Sequence, residues 1–176
     1  MWLPLLCSCN PISSFFMAET ILVPTDLRVA SLNTLKLALE LIDDDRVHVI
    51  LVYAQYANDS ITDLLFNSPK KRLNSLITAE FKEALEILRN RFEAKLLNGI
   101  DVEIYSGYNS NALGNFIDAF GVTQIFIPKT YRLALANKKA FDITPMLRKT
   151  KLPVFELAWG NHHATTEQEQ LTTLFT

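Results

Sequence analysis

The sequence predicts an α/β domain built on a mainly parallel sheet with helices on both faces, a Rossmann-like three-layer α/β/α arrangement. Three observations carry this. Short apolar runs alternate along the chain with longer stretches whose apolar residues recur at helical spacing. The runs are continuous rather than alternating, as strands covered on both faces require. Proline, glycine or serine stands at the end of most runs, which is turn chemistry where a strand must stop.

Thr20-Ile21-Leu22-Val23 reads as the first strand, ended by Pro24-Thr25-Asp26. Ser31 to Asp44 follows with Leu32, Leu35, Ala38, Leu39 and Ile42 on one helical face. Val47 to Ala54 is the second strand. Beyond a polar loop from Gln55 to Pro69, one long helical stripe runs through Leu73, Leu76, Ile77, Phe81, Leu85, Leu88, Phe92 and Leu96, with Asn98-Gly99 as its stop. Val102 to Tyr105 is a third short strand closed by Ser106-Gly107. Ser110 or Asn111 can cap a helix carrying Leu113, Phe116, Ile117 and Phe120, ended by Gly121. Gln124 to Ile127 is the fourth strand and Pro128 ends it. Asp142 is placed to cap a short helix through Met146 and Leu147, with Pro145 in its first turn, where a missing N–H costs little. Pro153 to Leu157 is the fifth strand.

The 176 residues suit one domain with a sizeable core. We divide them into an apolar extension over residues 1–16, a folded body over 17–159 and a polar tail over 160–176. The extension has no charge, lacks the basic region of a secretory signal, and falls short of the roughly 20 apolar residues that span a bilayer. Leu6-Cys7-Ser8-Cys9 has only a faint likeness to a lipoprotein cleavage box. Both cysteines lie there, too close for an ordinary structural bridge and without companion metal ligands. In the tail, His162 and His163 stand on a polar stretch without a cysteine partner, and read as solvated. The composition, 49% hydrophobic and 20% charged with only 5 Gly, excludes disordered and collagen-like classes. With 17 basic and 19 acidic side chains there is no global field toward nucleic acid. We expect a cytoplasmic protein with neither a nucleic-acid nor a membrane partner.

Signatures of hard chemistry are missing: the sequence has no Gly-x-x-x-x-Gly-Lys-Ser/Thr loop, no Gly-x-Gly-x-x-Gly and no Gly-x-Ser-x-Gly elbow. The body holds no cysteine, and its one histidine, His48, lies inside the second strand as a satisfied core or edge residue. Asp43-Asp44-Asp45 stands at a helix end, poorly placed for the macrodipole, and reads as a solvated turn. The expectation is no enzyme, no catalytic residue, no metal and no cofactor.

In a sheet of this class ligands bind beyond the carboxyl ends of the strands, where strand order reverses. That nominates Pro24, Thr25 and Asp26 after the first strand, Tyr53 near the end of the second, and Lys129, Thr130 and Arg132 after the fourth. Asp26 can accept hydrogen bonds from ribose hydroxyls or a base edge, or serve the turn and the next helix. Tyr53 can wall a planar ligand or fill space. Residues 129–151 carry seven cations and one acid, about +6 against −8 for the rest, which suits either an anionic ligand or a solvated rim.

Ile21-Leu22-Val23-Pro24-Thr25-Asp26, a helix, and Val49-Ile50-Leu51-Val52-Tyr53 resemble the opening of the universal stress protein family. Gly107, the helix with Phe116 and Ile117, and Gln124-Ile125-Phe126-Ile127 resemble its middle, and Leu152-Pro153-Val154-Phe155-Glu156-Leu157 its last strand. The resemblance covers roughly residues 18–159. It implies a five-stranded sheet ordered 3-2-1-4-5, a regulatory or stress-response role and a homodimer formed through the last strand, here Pro153, Val154, Phe155, Glu156 and Leu157.

It also implies two subgroups, one holding adenine nucleotide and one not. In nucleotide-holding members a proline and an aspartate after the first strand contact base and ribose, which carries onto Pro24 and Asp26. Tyr53 stands where such members have a small residue against adenine. Lys129 and Arg132 stand where they have the two glycines of the phosphate arm, and neither Asp142-Ile143 nor Ala140-Phe141 supplies the later Gly-Ser. The resemblance thus implies a member degenerate toward ATP, acting through an unidentified protein partner. The alternative is a binder of AMP, ATP or another small anion at the crevice between the first and fourth strands.

Overall fold

The computed structural model describes residues 19–43, 46–57, 69–135 and 137–159. The extension, the tail, Asp44, Asp45 and most of the expected polar loop lie outside the described residues.

The chain runs β1 (Glu19–Pro24), α1 (Leu32–Leu41, entered through a 3-10 turn over Val29–Ser31), β2 (Val47–Ala54), α2 (Pro69–Leu76), α3 (Ala79–Arg91), β3 (Leu96–Tyr105), α4 (Ser110–Phe120), β4 (Gln124–Pro128), α5 (Thr144–Leu147) and β5 (Val154–Leu157). All the strand pairs of the sheet are parallel and its order is β3-β2-β1-β4-β5, as the resemblance implies. In β1, Ile21 and Val23 pack on one face with Leu32 and Leu35 of α1 and Phe81 and Leu88 of α3. Leu22 packs on the other with Ile125, Ile127, Leu113 and Ile117 of α4, and Leu147 of α5. A strand whose alternate residues meet two separate cores has no polar side, so the run is continuously apolar.

Three boundaries depart from the sequence expectation. The long stripe is two helices rather than one: Thr78 caps α3, its hydroxyl accepting the Phe81 N–H at 3.2 Å. A side-chain acceptor there satisfies an orphan donor at the new helix start, and the apolar period runs through the break without registering it. Leu96 is the first residue of β3, and Asn98-Gly99 lies inside that strand. Pairing with β2 shifts there, from Val47↔Leu96 to Val49↔Ile100, and Gly99 takes a φ of +81° that a side chain would resist. Glycine here marks a bulge, not a helix stop. Asn109, one residue before the expected caps, holds α4 by accepting the Ala112 N–H at 2.9 Å.

Other expectations hold with small shifts. Gly121 ends α4 in the left-handed conformation at φ +62°. Asp142 accepts the Thr144 N–H at 2.8 Å at the start of α5. The fifth strand begins at Val154 rather than Pro153. His48 is a partly buried residue of the interior strand β2, its Nε2 2.9 Å from the Asp101 carboxylate on the neighbouring β3.

The carboxyl end of α1 is closed from across the fold. The Lys95 ammonium, in the turn before β3, donates to the carbonyls of Leu39 at 3.1 Å and Ile42 at 2.6 Å. A cation at a helix C-terminus meets both the dipole and unsatisfied acceptors. Lys95→Met, which keeps the apolar stem, should lower unfolding free energy by about 1–2 kcal/mol, read from the urea midpoint.

Candidate functional site

Strand order reverses between β1 and β4, and both strands end in proline. Pro24, the last paired residue of β1, sits opposite Val52, and Pro128 opposite Leu157. Beyond them the two chains separate, β1 into the turn Thr25–Arg28 and β4 into the segment from Lys129 to Leu135. These two segments form the candidate site.

The first turn is tightly held. Thr25 and Asp26 are buried, and the Thr25 hydroxyl lies 2.8 Å from that of Ser31 while accepting the Leu27 N–H at 3.0 Å. Leu27 has a φ of +62°, the one non-glycine described residue in that region, a conformation that costs an L-residue about 1–2 kcal/mol. Its side chain is buried in the core under α1, and that burial offsets the strain.

Asp26 is 4% exposed, and its carboxylate is largely engaged by the chain itself. Oδ1 accepts the Arg28 N–H at 3.1 Å; Oδ2 accepts the Tyr131 hydroxyl at 2.5 Å and the Ala134 N–H at 2.8 Å. A carboxylate offers about four acceptor positions, so three are occupied and Oδ2 is full. Tyr131 stacks on Trp159 with ring centres 4.9 Å apart, and the Trp159 indole donates to the Thr34 hydroxyl at 3.1 Å. Thr130 donates to the Trp159 carbonyl at 2.9 Å. The segment after β4 is therefore tied down over the end of β1 and to the residues that follow β5.

Electrostatics follow from this closure. Burial, then the Asp26 charge and the hydrogen bond to it, push the Tyr131 phenol far above its ordinary range, only partly opposed by Arg28. Burial, with Asp26 second, also raises Tyr53. Tyr53 is buried in the core cluster that also holds Val23, Leu51 and Leu157.

The sequence-nominated residues thus divide. Pro24, Thr25 and Asp26 are together and buried. Lys129, Thr130 and Arg132 are exposed; the Lys129 N–H extends the β4–β5 ladder to the Leu157 carbonyl at 2.8 Å. Neither Lys129 nor Arg132 forms an ion pair among the described residues. Of the basic stretch, Arg148 is paired with Glu156 at 2.8 Å. Tyr131, Ala134 and Trp159 are the residues that sequence reasoning misses. The Tyr131–Asp26 contact spans 105 positions, and only the presence of Tyr131 between the two cations could have hinted at it. Among the described residues, no group of three or more His, Cys, Asp and Glu could hold a metal, and no helix is long and apolar enough to cross a membrane.

No family model matches the chain, and no curated protein matches it. Solved structures similar to it include a universal stress protein family protein from Burkholderia pseudomallei, at 17% identity and TM-score 0.48, covering 81% of this chain and 97% of that one. A universal stress protein from Lactobacillus plantarum has 14% identity and TM-score 0.49, with 80% and 97% covered. A universal stress protein family protein from Arabidopsis thaliana with AMP bound has 11% identity and TM-score 0.43, with 82% and 94% covered. The fold itself rests on the strand order and pairing described above.

Removing the phenol hydroxyl strips the carboxylate of one donor without removing the ring. Tyr131→Phe should cost about 1–3 kcal/mol in urea unfolding. A phenol raised by folding keeps its proton in the native state after the unfolded state has lost it. Its stabilisation is therefore complete below the unfolded value near 10 and declines as pH rises beyond it. The wild-type protein should lose stability above about pH 10, and Tyr131→Phe should lose less over the same range.

Proposed function

We propose that this is a non-enzymatic, universal-stress-type regulatory protein of the cytoplasm, which pairs with a second copy of itself and acts through protein partners rather than by holding ATP. The observation that carries this reading is the engagement of Asp26. The side chain that would receive a ribose already receives a phenol hydroxyl and two backbone N–H groups. A ribose hydroxyl that bonds Oδ2 must first displace the Tyr131 hydroxyl or the Ala134 N–H, and only one position on Oδ1 is left for it, which weakens binding at the outset. Lys129 and Arg132 stand in place of the glycines through which a backbone could approach phosphates. No cofactor is assigned.

Self-pairing is supported by β5. It is one of the two outer strands of the sheet, four residues long, and Phe155 on it is 44% exposed while stacked on Phe126 at 5.0 Å. An outer strand with an exposed aromatic needs cover, and a second copy provides it symmetrically.

The second reading, a binder of AMP, ATP or another small anion at the same crevice, is supported by the position of Asp26 at the strand reversal with one acceptor site still open. Equilibrium dialysis against labelled ATP and AMP separates the two. The first reading expects no uptake in the micromolar range, whereas micromolar uptake abolished by Asp26→Ala establishes the second. Light scattering should give the mass of a dimer that Phe155→Asp reduces to a monomer; a wild-type monomer at high concentration rejects the self-pairing.

A further inference from the structure

A cavity lies away from the strand reversal, on the opposite side of the sheet from α1 and α3. It is a groove of about 850 Å³ between α4 and the turn that joins α5 to β5. That volume lies in the range of pockets that take small organic ligands. Its base is apolar, formed by Leu113 and Ile117 of α4, with Met146 and Leu152 on the facing wall. Tyr108, just before α4, also lines it and is 65% exposed although its ring stacks on Tyr56 at 5.5 Å. Tyr56 stacks in turn on Phe141 at 4.6 Å, so the outer ring is backed by two others.

Two further features point to an occupant. The first is charge. Lys149 and Lys151 line the groove on the side facing α4, and neither ammonium meets a described carboxylate. Asp118 is the one acid in the lining, which leaves a cationic excess beside an apolar base.

The second is Gly114. It lines the groove from the middle of α4, its φ is not positive, and a Cβ built on it would meet nothing within 4 Å. A glycine inside a helix weakens it relative to alanine. Here neither backbone conformation nor packing asks for one. What its missing side chain does is keep the groove deep.

We propose that this groove binds a small organic anion with a planar aromatic ring. The ring would lie against Tyr108 and the apolar base, and the anionic group would be held by Lys149 and Lys151. Flat rings gain by stacking on an exposed aromatic, and an anion near two unpaired cations gains by charge. This site is independent of the crevice at Asp26, so its failure leaves the reading of that crevice untouched.

The probe is naphthalene-2-sulfonate, followed by the backbone amide shifts of the isotope-labelled wild-type chain, with neutral 2-methylnaphthalene as its control. Shifts should cluster over residues 108–118 and 146–152, and the sulfonate should bind more tightly than the neutral ring. Gly114→Leu should abolish binding by filling the groove. Gly114→Ala should raise the melting temperature while weakening binding, a pair of effects that general damage to the fold cannot produce. Lys149→Gln with Lys151→Gln should weaken the sulfonate about 10-fold and leave the neutral ring unchanged. Shifts centred on Tyr131 and Trp159, equal affinity for the neutral ring, or unaltered binding in Gly114→Leu each overturn the proposal.

Discussion

The hydrogen bonds that end on the Asp26 carboxylate are the constraint around which the candidate site is arranged. A carboxyl group 4% exposed must be provided with hydrogen-bond partners, because a polar group out of water is costly unless it is paired. Here the donors come from two places. Arg28 supplies one from the same turn, while Tyr131 and Ala134 supply two from the segment after β4. The last two tie the ends of neighbouring strands together. They also turn inward the chemistry that a crevice of this topology ordinarily offers to a ligand. Trp159 completes the closure by stacking on Tyr131 and donating to Thr34 at the start of α1.

This closure depends on the sheet beneath it. Pro24 and Pro128 end pairing on adjacent parallel strands, so both chains leave the sheet at the carboxyl ends of the strands and their next residues meet. The strain at Leu27 belongs to the same arrangement. The turn that brings Asp26 under the second segment puts a leucine in the left-handed region, and the burial of that leucine holds it there. The groove along α4 has a different origin, in a helix that carries a glycine where the packing leaves room for a side chain.

The core and the order of elements were legible in the sequence because they are local or periodic properties. Continuous runs such as Val47 to Ala54 announce strands covered on both faces, and Pro24, Gly121 and Pro128 act on their own neighbours. The misread boundaries mark the limit of that signal. Apolar spacing through Ile77 and Phe81 is the same whether Thr78 continues a helix or caps a new one. Asn98-Gly99 can stop a helix or make a bulge, and the choice was made by pairing with Val47 and Val49 on another strand.

The sequence by itself determined the class of fold, the strand ends at which a site could stand, and the presence of an aspartate at one of them. Only the tertiary structure decided what that aspartate does, since two of its three partners lie 105 and 108 positions away and leave no periodic trace. It likewise placed Tyr53 in the core and Lys129 and Arg132 at the surface. A side chain's type states what it can bind, but its partner is set by which distant segments the folded chain brings within hydrogen-bonding reach.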